Sequence, residues 1–457
     1  MTYDVAIIGA GPGGYVTAIR CAQYGLKTCI IEKSNVGGTC LNSGCIPTKT
    51  LIASAKKFEM LKTISDYGIF VDNYSIDFDS IMSRKNNVVA TLRNGVKYLL
   101  RKNGIDVING RAKLISPTDI SISGETSTEI RAKNIIISTG SLPFMPNTFE
   151  YDGDSILTSD DILELAELPE SFLIIGGGVI GCEMAYIFST FGVKVTIIDK
   201  LKNILPMEDE EIVNILKECF LKKGIEIITG VSIDEVKSGN GCIIASLSDG
   251  SKLEAEKALV SIGRVPNTED LGIEDIGAAL GQKGEIIVNE NFETTVPGIY
   301  AIGDVTGKTY LAHAASAQGL AVADQIAGKA PSVAHEIIPR CIYTFPEIAS
   351  VGLTEREARD SGFNVSVGRF PFKASGMGVA LGETAGLVKV VAEKENGKLL
   401  GAHIIGACAS ELIAQPAIVL AGKGTLNDLT KAVYAHPTMS ESIHEAFEAV
   451  FGKSINY

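Results

Sequence analysis

Residues 3–14 read YDVAIIGAGPGG. Val5–Ile8 is a short unbroken apolar run that ends on glycine, the pattern of a strand buried on both faces. Gly9, Gly11 and Gly14 follow as GxGxxG, and each glycine has a separate task. The first makes the tight turn, the second lets the backbone approach a pyrophosphate, and the third lets helix and strand pack closely. Helical sequence continues through Ile19 and Arg20, and a second strand, LKTCIIE (26–32), ends at Glu32. Phosphates sit on such a helix N-terminus, where free N–H groups and the dipole favour anions. The acid at the second strand's end accepts a ribose hydroxyl.

One GxGxxG is weak evidence, because turns produce it by chance. Residues 171–181, SFLIIGGGVIG, repeat the design with Gly176, Gly178 and Gly181, and VKVTIID (193–199) ends at Asp199. From first glycine to acid is 23 residues in both copies, 9 to 32 and 176 to 199. Strand, glycines, helix, strand and acid recurring at one spacing predict two Rossmann-like units. Two dinucleotide sites in one chain point to a flavin and a nicotinamide. IIISTG (135–140) and ALVSIG (258–263) close the units, and GIYAIGDV (298–305) places Asp304 near a strand's end. There an acid binds a sugar or ribityl hydroxyl; the plainer alternative is a helix cap, since helical sequence starts a few residues on. Beyond about Ile337 the pattern changes to alternating strands with hairpin turns, as in GLVKVVAEKENGKLLGAHIIG (386–406), then to short helices. The expected fold class is α/β, two dinucleotide-binding domains plus a C-terminal α+β domain.

The 457 residues are 46% apolar and carry a net charge of −13, which excludes a nucleic-acid binder that neutralises phosphates. No apolar run reaches the roughly 18 residues that span a bilayer. Asp4 stands where a signal peptide is apolar, so a cytoplasmic protein is expected. Of nine cysteines only Cys40 and Cys45 form a close pair, in GGTCLNSGCIPTK (37–49). No CxxC and no nearby histidine accompany them, so no metal site is expected. In a regular helix five residues rise about 7.5 Å and turn about 140° past a full turn. A disulfide needs Cα atoms within about 6.8 Å, so the pair bridges only if the first turn deforms, which Gly44, Asn42 and Ser43 permit. A helix N-terminus and Lys49, four residues on, favour thiolate. Two free core thiols remain the alternative on these residues alone.

GGTCLNSGCIPTK resembles the redox motif of the flavin-dependent disulfide oxidoreductases. GAGPGG with Glu32, GGGVIGCE (176–183), GRVPN (263–267), YAIGDV (300–305) and HPTMSE (436–441) follow in family order along the whole chain. The resemblance implies a Cys40–Cys45 redox disulfide, with Cys45 on the flavin side and Cys40 exchanging with substrate. It implies FAD held by Gly9, Gly11, Gly14, Glu32, Ala112, Asp304 and Ala312, with Lys49 near the flavin and paired to Glu183. It implies NAD held by Gly176, Gly178, Gly181, Asp199, Val231 and Gly263. His436 and Glu441 become a base and its orienting carboxylate. The implied division is 1–142 and 265–336 for the FAD domain, 143–264 for the NAD domain and 337–457 for a dimerisation domain, hence a homodimer.

Leu41 after the first cysteine, YTFPEIASVGLTE (343–355) and AHPTMSESIHEA (435–446) look most like the dihydrolipoamide dehydrogenase branch. The implied reaction oxidises protein-bound dihydrolipoamide and passes hydride to NAD⁺. The implied partner is a lipoyl-bearing protein of a 2-oxo acid dehydrogenase or glycine cleavage complex. A glutathione-type reductase is the alternative. Ser43 departs from the usual valine and Asp199 from the usual glutamate.

Overall fold

The computed structural model describes residues 1–124, 127–239, 241–330, 332–333 and 335–457. Its first sheet is built around Thr2–Ile8. This strand pairs in parallel with Thr28–Glu32 on one side and Thr128–Ile137 on the other. Asp106–Asn109 extends the first edge and Ile299–Ala301 pairs with Thr128–Ile137. A meander of Arg111–Leu114, Asp119–Ser123 and Thr128–Ile137 adds antiparallel strands. Val5, Ala6, Ile7 and Ile8 are all buried. Layers cover the sheet on both faces, so these strands show continuous apolar runs and not alternation.

The second sheet is fully parallel, in the order Glu226–Thr229, Lys194–Asp199, Ser171–Ile175, Lys257–Val260, Ile156–Leu157. The helix Val179–Thr190 is apolar nearly all round and buried, with Tyr186, Ile187 and Phe188 packed against Phe172 and Ile174. The chain leaves the first unit through Ser141–Pro143 and returns through Arg264–Pro266. These segments pair antiparallel, so exit and re-entry lie side by side.

The third sheet is antiparallel: Arg340–Ile342, Glu347–Gly352, Leu399–Gly406, Leu387–Glu393, Val365–Pro371. Val388, Val390, Ala402 and Ile404 point to a core closed by Ile443, Ala446 and Phe447 of the helix Glu441–Val450. The fold is thus α/β with two parallel-sheet units and a C-terminal α+β unit, as the sequence predicts.

Candidate functional site

The two cysteines do not share one helix. Cys40 lies in Gly38–Asn42, and Cys45 is the first residue of Cys45–Thr63, with Ser43 and Gly44 between. Gly44 makes this possible: a Cβ there would lie 2.9 Å from the Thr39 carbonyl oxygen and 3.4 Å from the Cys40 Cα. The broken axis removes the geometric bar that a continuous helix sets against bridging. Both are half-buried free thiols, and the pair sits near disulfide distance. The helix that Cys45 opens has no side-chain cap and no acid in its first turn, so its free N–H groups face the sulfur's end.

Cys45 is pulled down to about 7. The Cys40 thiol donating to its sulfur is the largest cause, Lys49 assists, and burial and Glu183 oppose. The same hydrogen bond pushes Cys40 far up. The reduced pair therefore ionises at Cys45, with Cys40 as donor. By contrast, burial pushes Cys21 and Cys29 up to about 12, leaving them inert as nucleophiles.

Lys49 Nζ donates to both Glu183 oxygens, at 2.9 and 2.8 Å. Glu183 is 3% exposed, on the helix that starts at the second glycine turn, so this pair ties the cysteine helix to the second unit. Tyr343 was not foreseen. Its backbone N–H donates to Glu183 at 2.9 Å, and its ring lies 4.7 Å from Lys49 Nζ. The only signal for it was an aromatic residue inside YTFPE.

The glycine turns match each other. A Cβ on Gly14 would lie 1.9 Å from the Gly9 oxygen, and one on Gly181 would lie 2.0 Å from the Gly176 oxygen. On Gly11 it would make only an ordinary contact, 3.8 Å from the Gly38 Cα, and on Gly178 it would meet nothing within 4 Å, so both have room for a Cβ. The helices Pro12–Gln23 and Val179–Thr190 start there without side-chain caps or first-turn acids. Such uncapped N-termini are made for an anion. Each acid turns toward its own loop: Glu32 accepts from the Ala10 N–H at 2.8 Å, and Asp199 from the Gly177 N–H at 2.7 Å. These residues fit two dinucleotides.

Asp304 lies in the turn Gly303–Thr306, and the N-cap position of the following helix, Ala312–Ile326, is Leu311, with no side-chain cap. The helix-cap alternative for Asp304 therefore fails. Asp304 accepts from the Ser141 hydroxyl at 2.6 Å, and Arg264 donates to that hydroxyl at 2.7 Å and to the Ser141 carbonyl at 2.8 Å. Burial raises the Asp304 carboxyl. Ser141 and Arg264 had no role in the sequence reading, although GRVPN held the arginine. Ala312 opens its helix; Ala112 is buried on Arg111–Leu114, opposite Ile122. Val231 is half-buried just past Glu226–Thr229, and Gly263, at φ +147° with open space beside it, precedes Arg264.

His436 Nδ1 is 2.9 Å from Glu441 Oε1, and Glu441 Oε2 accepts from the Thr438 N–H at 2.8 Å. That N–H, followed by the histidine, holds the Glu441 carboxyl below its usual range. The His436 side chain is 80% exposed. Among the described residues, the side chain that His436 pairs with is Glu441.

Residues 3–319 match the pyridine nucleotide-disulphide oxidoreductase model, and residues 338–447 match that family's dimerisation domain. The chain belongs to this family. Its members use FAD and a pyridine nucleotide, in keeping with the two glycine turns. A dihydrolipoyl dehydrogenase of Bacillus subtilis is 42% identical, over 100% of this chain and 99% of its own length. One from Chlamydia muridarum is 41% identical over 96% and 95%. Among solved structures, LpdA from Mycobacterium tuberculosis superposes with a TM-score of 0.92 at 28% identity, covering 97% of this chain and 98% of that one. The flavoprotein disulfide reductase RclA from Escherichia coli gives 0.88 at 30%, covering 98% and 99%. A dimerisation domain makes a family homodimer the expected assembly. Among the described residues, no helix is long and apolar enough to cross a membrane.

Proposed function

We propose that the protein oxidises dihydrolipoamide borne on a partner protein to lipoamide and reduces NAD⁺. The observation that carries this is the Cys40–Cys45 pair, with Cys45 at a helix N-terminus beside the Lys49–Glu183 ion pair. Full-length relatives called dihydrolipoyl dehydrogenase at about 40% identity support the same substrate over a glutathione-type reductase.

In the oxidised enzyme the two sulfurs are bonded. His436, oriented by Glu441, takes a proton from one substrate thiol, because exchange needs a thiolate attacker. That thiolate attacks the Cys40 sulfur, and the Cys45 sulfur leaves as thiolate. The second substrate thiol, losing its proton, attacks the substrate sulfur bound to Cys40. Lipoamide departs and Cys40 takes up a proton. The state left behind is the reduced pair, which ionises at Cys45. FAD, when bound, supplies the two-electron relay between this dithiol and NAD⁺. Glu183 supplies the counter-charge beside the half-buried Lys49.

Gly9, Gly11, Gly14, Glu32, Ala112, Asp304 and Ala312 are proposed to hold FAD. Gly176, Gly178, Gly181, Asp199, Val231 and Gly263 are proposed to hold NAD. Residues 1–142 with 265–336, 143–264 and 337–457 are proposed as the corresponding domains. The exposed His436–Glu441 pair is proposed to serve the cysteines of the second copy. A cytoplasmic setting and a lipoyl-bearing partner from a 2-oxo acid dehydrogenase or glycine cleavage complex complete the reading. NADH formation from dihydrolipoamide, compared with NADPH-driven reduction of glutathione disulfide, tests it. Turnover of only the second pair overturns it.

A further inference from the structure

The third sheet carries one polar row from edge to edge. Arg369 stands opposite Lys389, Lys389 opposite His403, His403 opposite Ser350, and Ser350 opposite Arg340. Directly opposed residues share a face. Their strand neighbours Val388, Val390, Ala402 and Ile404 turn the other way, into the core. The row is docked by a single acidic segment of the second unit, Glu208–Glu211. Lys389, 5% exposed, reaches both Asp209 oxygens at 2.9 Å, Glu211 at 3.2 Å and Glu355 at 3.1 Å. Arg369 holds Glu211 and Glu355. Arg340 and Ser350 hold Glu208, at 2.8 and 2.5 Å.

That acidic segment is the tail of the loop after Asp199. Three residues before it, the Leu205 N–H donates to the Gly177 carbonyl at 2.9 Å. Ile204 packs so closely on Gly177 that a Cβ there would meet its Cγ2 at 2.5 Å. Leu205 sits at φ +48°, where leucine is uncommon and must be held by its surroundings. The Glu208 N–H bonds the Leu205 carbonyl at 3.0 Å, closing the link from row to turn.

We infer that Lys389 is a positioning residue for the nicotinamide dinucleotide: through Asp209 and the 204–208 loop it fixes the second glycine turn from another domain. It touches neither the cysteines nor the turn itself. The inference rests on the proposed NAD role of that turn.

The test uses Lys389→Met, close in length and uncharged, in the FAD-loaded enzyme. The probe is ADP-ribose, which carries the ribose and pyrophosphate without the redox ring. Calorimetry is expected to show its Kd raised about five-fold or more, with Lys389→Arg recovering most of the loss. The KM for NAD⁺ rises in parallel, the KM for dihydrolipoamide stays within two-fold, and amide exchange across 201–209 speeds up without ligand. A folded Lys389→Met enzyme whose ADP-ribose Kd is within two-fold of wild type overturns the inference. If that variant does not fold, Arg369→Leu at the cluster's exposed edge decides: a weaker loss in the same direction supports it and unchanged affinity overturns it. A wild-type enzyme that fails to bind ADP-ribose at all instead removes the NAD reading, and this inference with it.

Discussion

Replacing Cys40 by alanine removes the donor that most strongly acidifies Cys45. Cys45 stands at about 7, two units below the usual 9. A hydrogen bond to a charged group contributes about 1.5–3 kcal/mol, or roughly 1–2 pKa units. Cys40→Ala is therefore expected to move Cys45 up to roughly 8–9, and the thiolate fraction at pH 7 falls from about a half to about 1–10%. The sign follows from the chemistry: losing a donor to the charged form raises the pKa. Serine keeps a hydroxyl donor, so Cys40→Ser is expected to stay near the wild-type value. The assay is the pH dependence of iodoacetamide labelling of the reduced protein, read on the Cys45 peptide by mass spectrometry. A Cys40→Ala midpoint that remains near 7 refutes the reasoning, and assigns the acidity to the helix N-terminus and Lys49 instead.

Lys49→Met and Glu183→Gln are expected to shift Cys45 in opposite directions, up and down, since Lys49 lowers and Glu183 raises it; labelling profiles that move the same way contradict this. Gly14→Ala and Gly181→Ala, whose new Cβ atoms would lie about 2 Å from a carbonyl oxygen, are expected to lose at least ~1–3 kcal/mol of stability. Gly11→Ala and Gly178→Ala, where a Cβ fits without a clash, are expected to melt near wild type in the apo form while binding FAD and NAD, respectively, at least several-fold more weakly; denaturant curves and titrations separate the two classes. Cys45→Ser and His436→Ala homodimers are each expected to be nearly inactive with dihydrolipoamide, and co-refolding them is expected to restore part of the activity. Verified mixed dimers as inactive as their parents would place the whole site in one chain.

Two parallel-sheet units, their glycine turns and their terminal acids could be read from residues 3–14, 26–32, 171–181 and 193–199 alone. Those signals are local: a strand, a turn and a helix start are written in consecutive residues, and the acid follows at a fixed interval. The cysteine pair was legible for the same reason, but its geometry was not. The sequence marked Gly44 as a residue that lets the first turn deform, but a spacing of five along an assumed continuous helix could not show that the chain splits there into two helices, with Cys45 opening the second. Glu183 and Tyr343 are 134 and 294 positions from Lys49, and Arg264 is 123 from Ser141. Only chain folding brings such groups within bonding distance. The polar row Arg369–Lys389–His403–Ser350–Arg340 is the extreme case, because each member sits on a different strand. Cross-strand register made it one surface, and a buried cation there needs the carboxylates of a distant segment to offset its desolvation.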